Sequence, residues 1–326
     1  MTIITSPQET FGSDLYIDLR PMLGRELYVK CEGLNFGGSI KMKAAAAMVA
    51  AAECAGSMTA DSVLVESSSG NLGVALSVIA ASKGFPFTCV TDRRCNDLTA
   101  ATMRALGATV LVVDEPHPDG GFLKTRLDLV RRLCAEDERY VWLNQYANVE
   151  NWRAHYETTA PEILKTFPNV DVVFIGVGTS GTATGCARYF RDSGSTARTV
   201  AVDAEGSVSF DRPAGPRLIP GLGAGVRPPM LDVALFDDVV HVPESDAVRM
   251  CRVLSARGML FGGSTGTVVS GALAWLARHD AKRSLQAVCV SPDMGDRYLD
   301  TVYNDEWVHA HFGPGALRPA SDFDGS

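Results

Sequence analysis

Short apolar runs rich in β-branched residues recur along the chain, and longer Ala-rich or amphipathic stretches separate them. The runs at 63–66, 87–91, 109–113, 172–175, 199–203, 238–242 and 286–290 have the length and composition of strands. The stretches at 41–55, 71–83, 97–106, 121–135, 150–166, 181–192, 245–257 and 265–279 have those of helices. Strand–helix alternation with short connections predicts βαβ units and parallel sheets. The strands are apolar throughout rather than alternating, so both faces of each sheet are expected to be covered, in three αβα layers.

The strands form two groups, one within about 60–145 and one after 170, with strands near 15–32 joining the later group. The expected architecture is α/β: two open, twisted, mostly parallel sheets. A large domain is expected from 1–40 and 147–326, and a small mobile one from 41–146. The 326 residues, 46% of them hydrophobic, suffice for two such cores. The Gly/Pro/Ser-rich stretch from 312 is expected to fray.

Charge removes several partners. A formal net charge of −8 repels phosphate backbones and anionic lipid, so no nucleic acid is expected. No apolar run approaches the ~20 residues of a membrane helix, and the first residues lack the basic start and apolar core of a secretory signal. No membrane association and a cytoplasmic location are the expectations. Eight scattered cysteines without a C-x-x-C pair predict buried thiols, with neither a disulfide frame nor a metal site.

The chemistry is concentrated in Gly/Ser/Thr loops that lead into helices, where open α/β sheets bind ligands. In NFGGSIKMK (35–43), two glycines permit a tight turn before Lys41 and Lys43 at a helix start. The positive helix end disfavours an ammonium there, which suits an imine-forming lysine; two solvated surface lysines are the plain alternative. ESSSGNLG (66–73) offers Ser67, Ser68, Ser69, Gly70 and Asn71 at one helix N-terminus. One such residue suffices for capping, and a run of them suits an anionic ligand. GVGTSGTATG (176–185) matches G-x-G-x-x-G, with Asp203 about 20 residues on. That is the dinucleotide fingerprint, yet Thr179, Ser180 and Thr182 equally suit a terminal monophosphate. The pattern alone leaves both open. GGSTG (262–266) opens another helix, and Asn144 and Gln145 follow the short apolar run YVWL.

Taken in order, GGSIK (37–41), SSGN (68–71), NQYAN (144–148), TTAPEI (158–163), GVGTSGTATG (176–185), PGLGAG (220–225), GGSTG (262–266) and GDRYL (295–299) resemble the cysteine synthase and cystathionine β-synthase family. These are fold-type II pyridoxal-phosphate enzymes, with the tryptophan synthase β-like fold. The similarity runs from about 15 to 310. Within the family, EPHPDGGFLKTR (115–126), VDAEGSV (202–208) and DMGDRYLDTVYND (293–305) are most similar to a branch serving 2,3-diaminopropionate formation for siderophores and peptide antibiotics. There O-phospho-L-serine donates a three-carbon unit and L-glutamate supplies the amine.

The resemblance implies pyridoxal 5'-phosphate as cofactor, small amino acids as substrates and a homodimer. It implies that Lys41 binds the cofactor covalently and Asn71 bonds its phenolic oxygen. Gly178, Thr179, Ser180, Gly181 and Thr182 would hold its phosphate, and Ser264 would face its ring nitrogen. Ser68, Ser69, Gly70, Asn71 and Gln145 would bind the substrate carboxylate. Candidate cations for phosphate and the glutamate carboxylates are Arg126, Arg153, Arg217, Arg227 and Arg297. Two departures stand out: Met42 and Lys43 replace an Asp and an Arg found after the lysine in many members, and Leu72 replaces a Thr. The alternatives are cysteine synthase or cystathionine β-synthase chemistry on O-acetylserine or serine and, more distantly, an NAD-dependent oxidoreductase.

Overall fold

The computed structural model describes residues 3–11, 14–118 and 121–317. The elements begin with β1 (Tyr16–Asp18), α1 (Arg20–Leu23), β2 (Leu27–Cys31), α2 (Lys41–Cys54), β3 (Val63–Ser67), α3 (Asn71–Lys83), β4 (Phe87–Asp92) and α4 (Asp97–Ala105). There follow β5 (Thr109–Val113), α5 (Leu123–Glu136), β6 (Tyr140–Trp142), α6 (Glu150–Glu157), α7 (Thr159–Thr166), β7 (Val172–Gly176), α8 (Gly181–Asp192) and β8 (Arg198–Ala204). The chain closes with β9 (Asp238–Val242), α9 (Glu244–Ser255), α10 (Gly263–His279), β10 (Ala287–Ser291) and α11 (Asp305–Phe312).

Three expectations need correction. The helix expected over 150–166 is two helices. Pro161 has no amide to bond the carbonyl of Glu157, and Thr158 Oγ1 donates back to the Ala154 carbonyl at 2.5 Å, so the backbone leaves helical geometry at Thr158. β6 is a true strand, although three residues are too few to announce one. Of the tail expected to fray from 312, Pro314–Leu317 form a short 3-10 turn and Ala316 is buried. Residues 318–326 of the expected fraying tail lie outside the described residues.

Packing divides the chain into one unit containing 3–11 and 35–151 and another containing 14–34 and 152–317. The boundaries thus lie a few residues from the expected 40/41 and 146/147. Residues 3–11 also join the smaller unit, because the short 3-10 turn Pro7–Phe11 packs on α2 and α3.

The smaller unit has a parallel sheet in the order β5-β4-β3-β6. Its strands bury both faces. Leu64 and Cys89 join the core beneath α2 and α3, while their neighbours Val65 and Val90 join a second core with Phe122 and Val130 beside α5. The larger unit has the order β1-β2-β10-β7-β8-β9, antiparallel only at β1–β2. Val172, Phe174, Val200 and Val202 pack with α10, and the alternate residues Val173, Ile175 and Ala201 are equally buried. This is the covered-sheet arrangement that continuous apolar strands require.

In each sheet the strand order reverses once, between β3 and β6 and between β7 and β10. Loops leaving such neighbours diverge and open a crevice at the strands' C-terminal ends. The loops so placed are 68–70 and 143–146 in one unit, and 177–180 and 292–298 in the other.

Helix α8 packs so closely on α6 that a β-carbon at Gly185 would lie 2.2 Å from the Trp152 carbonyl oxygen. Gly185→Ala is expected to destabilise the protein by about 1–3 kcal/mol through this overpacking. Urea unfolding of the two proteins side by side measures it.

Candidate active site

In the smaller unit, β3 runs into α3 through the Ser/Asn loop. Ser68 is buried, and its Oγ accepts from the amides of Gly70 at 3.3 Å and Gly73 at 3.0 Å. Ser68 thus satisfies a first-turn amide of α3, whose N-cap is Gly70, and its own hydroxyl proton remains available as a donor. Ser69, Gly70 and Asn71 are half-buried at the positive end of the helix. Leu72 is buried in the core with α2, so the position that carries Thr in many family members is an apolar packing position here.

Across the switch point, Gln145 is held from three sides. Its amide donates to Glu66 Oε2 at 3.0 Å, its Nε2 donates to the Ser67 carbonyl at 2.9 Å, and its own carbonyl accepts from Asn151 Nδ2 at 2.7 Å. Lys41 opens α2 and is half-buried; Lys43, two residues on, is buried. Residues i and i+2 of a helix point in different directions, so the two lysines do not share one face. Met42 lies wholly in the core.

In the larger unit, the Gly/Thr loop joins β7 to the 12-residue helix α8. Ser180 caps that helix with φ +69°, an uncommon conformation for a residue other than glycine. The first amides of such a helix lack intrahelical partners, and its positive end suits an anion. Gly178 is needed because a β-carbon there would lie 2.7 Å from the Gly221 carbonyl oxygen. Thr182 Oγ1 lies 3.2 Å from His155 Nε2, and His155 Nδ1 lies 3.1 Å from Thr159 Oγ1, so a buried imidazole braces the loop. The Ser180 hydroxyl is buried without a hydrogen-bond partner among the described residues.

Ser264 sits in the first turn of α10, its hydroxyl buried beside the Tyr298 phenol. A β-carbon at Gly221 would fall on it, at 2.3 Å. Beside it Tyr298 donates to Asp293 Oδ2 at 2.5 Å. Burial and the Asp293 charge hold that phenol well above its ordinary range. Orphaned buried hydroxyls are costly unless something bonds them. A phosphate would satisfy the Ser180 hydroxyl, and a buried serine hydroxyl such as that of Ser264 can bond a ring nitrogen, so these residues fit the group the sequence implied.

Asp203 answers the dinucleotide alternative. It is fully buried at the end of β8, its Oδ1 accepts from the Ala204 amide at 2.9 Å, and burial pushes its carboxyl up to about 6. A carboxylate reading a ribose must face the ligand. Of the candidate arginines, Arg217 donates to the carbonyls of Gly206 and Ala224, and Arg227 pairs with exposed Asp211. Arg153 lies over the Trp152 ring, and burial lowers the pKa of Arg297. Arg126 is buried against Asp92, 3.3 Å away. Glu66, His155 and the Tyr298–Asp293 pair escaped the sequence reading. Of these only Glu66 left a trace, a carboxylate ending an otherwise apolar strand.

Known proteins resemble the chain over most of its length. A family model described as pyridoxal-phosphate dependent enzyme matches residues 16–293. A protein of Ralstonia nicotianae named N-(2-amino-2-carboxyethyl)-L-glutamate synthase is 40% identical over 301 residues, covering 91% of this chain and 88% of that protein. One of the same name from Cupriavidus metallidurans is 40% identical over 306 residues, covering 92% and 90%. Among solved structures, a hydrogen sulfide-producing enzyme from Fusobacterium nucleatum superposes with TM-score 0.85 at 34% identity, covering 91% of this chain and all of that one. An O-ureido-L-serine synthase does so with TM-score 0.85 at 30% identity, covering 95% and 100%.

Because the native Asp203 carboxyl titrates near 6 and an unfolded one near 3.8, the folded state holds the extra proton between them. That part of the stability is present below the lower value and is lost as pH rises through the higher. The unfolding free energy of Asp203→Asn relative to wild type is expected to rise by up to about 3 kcal/mol from pH 4 to pH 7, as urea titrations at each pH will read.

Proposed function

The chain belongs to the family of pyridoxal-phosphate-dependent enzymes, and from that premise we propose that it performs β-replacement on O-phospho-L-serine with L-glutamate as the amine. The products are N-(2-amino-2-carboxyethyl)-L-glutamate and inorganic phosphate, for 2,3-diaminopropionate biosynthesis. The observation that carries the reading is the 40% identity, over about nine-tenths of the chain, to two enzymes named for that product. The buried hydroxyls of Ser180 and Ser264 support the cofactor's placement.

Lys41 carries the cofactor. Gly178, Thr179, Ser180, Gly181 and Thr182 hold its phosphate, Asn71 its phenolic oxygen and Ser264 its ring nitrogen. When bound, pyridoxal phosphate supplies the electron sink that makes the donor's Cα proton acidic. Ser68, Ser69, Gly70, Asn71 and Gln145 bind the donor carboxylate, with the α3 N-terminus adding its partial charge. The Lys41 amine removes the Cα proton and later returns it. The net change breaks the donor's Cβ–O bond, whose electron pair leaves with phosphate. It forms a Cβ–N bond to the glutamate α-amine, which loses one proton.

Among the described residues no helix is long and apolar enough to cross a membrane. A cytoplasmic homodimer of two domains, the smaller one mobile, completes the proposal.

Purified protein is expected to be yellow, and borohydride should fix the cofactor to Lys41, as peptide mass spectrometry will read. Lys41→Ala should lose at least about 10³-fold in activity, the scale of a positioned proton-transfer group, whereas Lys43→Ala should keep the visible band. A label on Lys43 overturns the assignment. Phosphate release from O-phospho-L-serine should require glutamate; release driven by sulfide alone would move the enzyme to cysteine synthesis.

A further inference from the structure

Glu66 is the last carboxylate one would place by composition. It is the penultimate residue of β3, wholly buried, where an isolated charge is expensive. Yet it is not isolated. Oε1 accepts from the Ser67 amide at 2.8 Å and from Trp142 Nε1 at 3.1 Å, and Oε2 accepts from the Gln145 amide at 3.0 Å. The three donors come from both sides of the β3/β6 switch point. One carboxylate therefore ties the start of the Ser/Asn loop to Gln145. The Gln145 side chain returns the contact by donating to the Ser67 carbonyl.

We propose that Glu66 is the positioning residue of the donor-carboxylate site, a clamp that holds the 67–71 loop and Gln145 at a fixed spacing. The inference rests on the proposed role of those residues in binding the amino donor. Glu66 itself touches neither donor nor cofactor.

The clamp works only as an anion. All three neighbours are N–H donors, and a protonated carboxyl would set an O–H against one of them. Burial drives the carboxyl upward, the Ser67, Gln145 and Trp142 donors and the Arg126 charge draw it down, and it comes to rest at about 7. The other titratable groups around it are Cys89, Cys134 and Tyr146, all of whose pKa values are raised. Asp92 stands beyond Arg126. As pH falls through about 7 the clamp gains a proton and loosens.

The test is spectral titration of the holoenzyme with O-phospho-L-serine between pH 6 and pH 8.5, for wild type, Glu66→Gln and Trp142→Phe. Taking the variant's dissociation constant relative to wild type cancels ionisation of the donor itself. For Glu66→Gln the ratio should be about tenfold at pH 8, the loss of one charge-assisted contact, and should fall towards one at pH 6. The resting visible band and the affinity for pyridoxal phosphate should stay within about twofold of wild type. Amide hydrogen exchange at Ser67 and Gln145 should accelerate in the variant without donor present. Trp142→Phe, which removes one donor and keeps an aromatic ring, should move the midpoint of the pH dependence upward by roughly one unit. A ratio near one throughout with unchanged exchange overturns the clamp. So does a ratio that ignores pH, or an unmoved midpoint in Trp142→Phe should Glu66→Gln not fold. If no amino acid alters the wild-type spectrum, the donor assignment has failed instead.

Discussion

Parallel strands that fan out in opposite directions from one central pair cannot close the gap between their outgoing loops. That constraint acts once in each sheet, at β3/β6 and at β7/β10, and every residue with a chemical assignment except Lys41 and Ser264 lies in or just beyond a loop leaving one of those strands. The reversal follows from strand order, and strand order follows from which apolar run pairs with which. The reactive loops are therefore positioned by Val, Ile and Leu side chains far from any ligand.

Buried polar groups convert that coarse placement into a rigid one. Ser68 accepts from the Gly73 amide of α3, Glu66 and Gln145 lock two loops together, His155 braces Thr182, and Asp293 orients Tyr298 beside Ser264. A satisfied buried polar network admits few rearrangements, because each alternative strands a donor or acceptor. The Ser180 hydroxyl, buried without a partner among the described residues, is one that a ligand would satisfy.

The departures from the wider family also acquire physical reasons. Met42 and Leu72 replace polar residues and both are buried apolar packing positions of the smaller unit, so helices α2 and α3 are secured by core contacts. The two hydroxyl-bearing loops around them are retained. Such a division lets binding chemistry persist on a helix terminus while the next residue turns inward, as the helical repeat demands.

The sequence by itself determined the α/β class, the strands and helices near their observed limits, and the loops that carry Lys41, Asn71, Gly178 and Ser264. Those signals are local: strand length, apolar run, helix period and the small residues a phosphate loop requires. Only the tertiary structure decided that Asp203 is entombed, that Arg217 serves backbone carbonyls, and that Ser68 accepts from the Gly73 amide. Nor did local pattern reveal the Pro161 break between α6 and α7 or the Glu66 clamp. The partner of Glu66 at Gln145 lies 79 residues away, and no periodicity records a contact made across the fold.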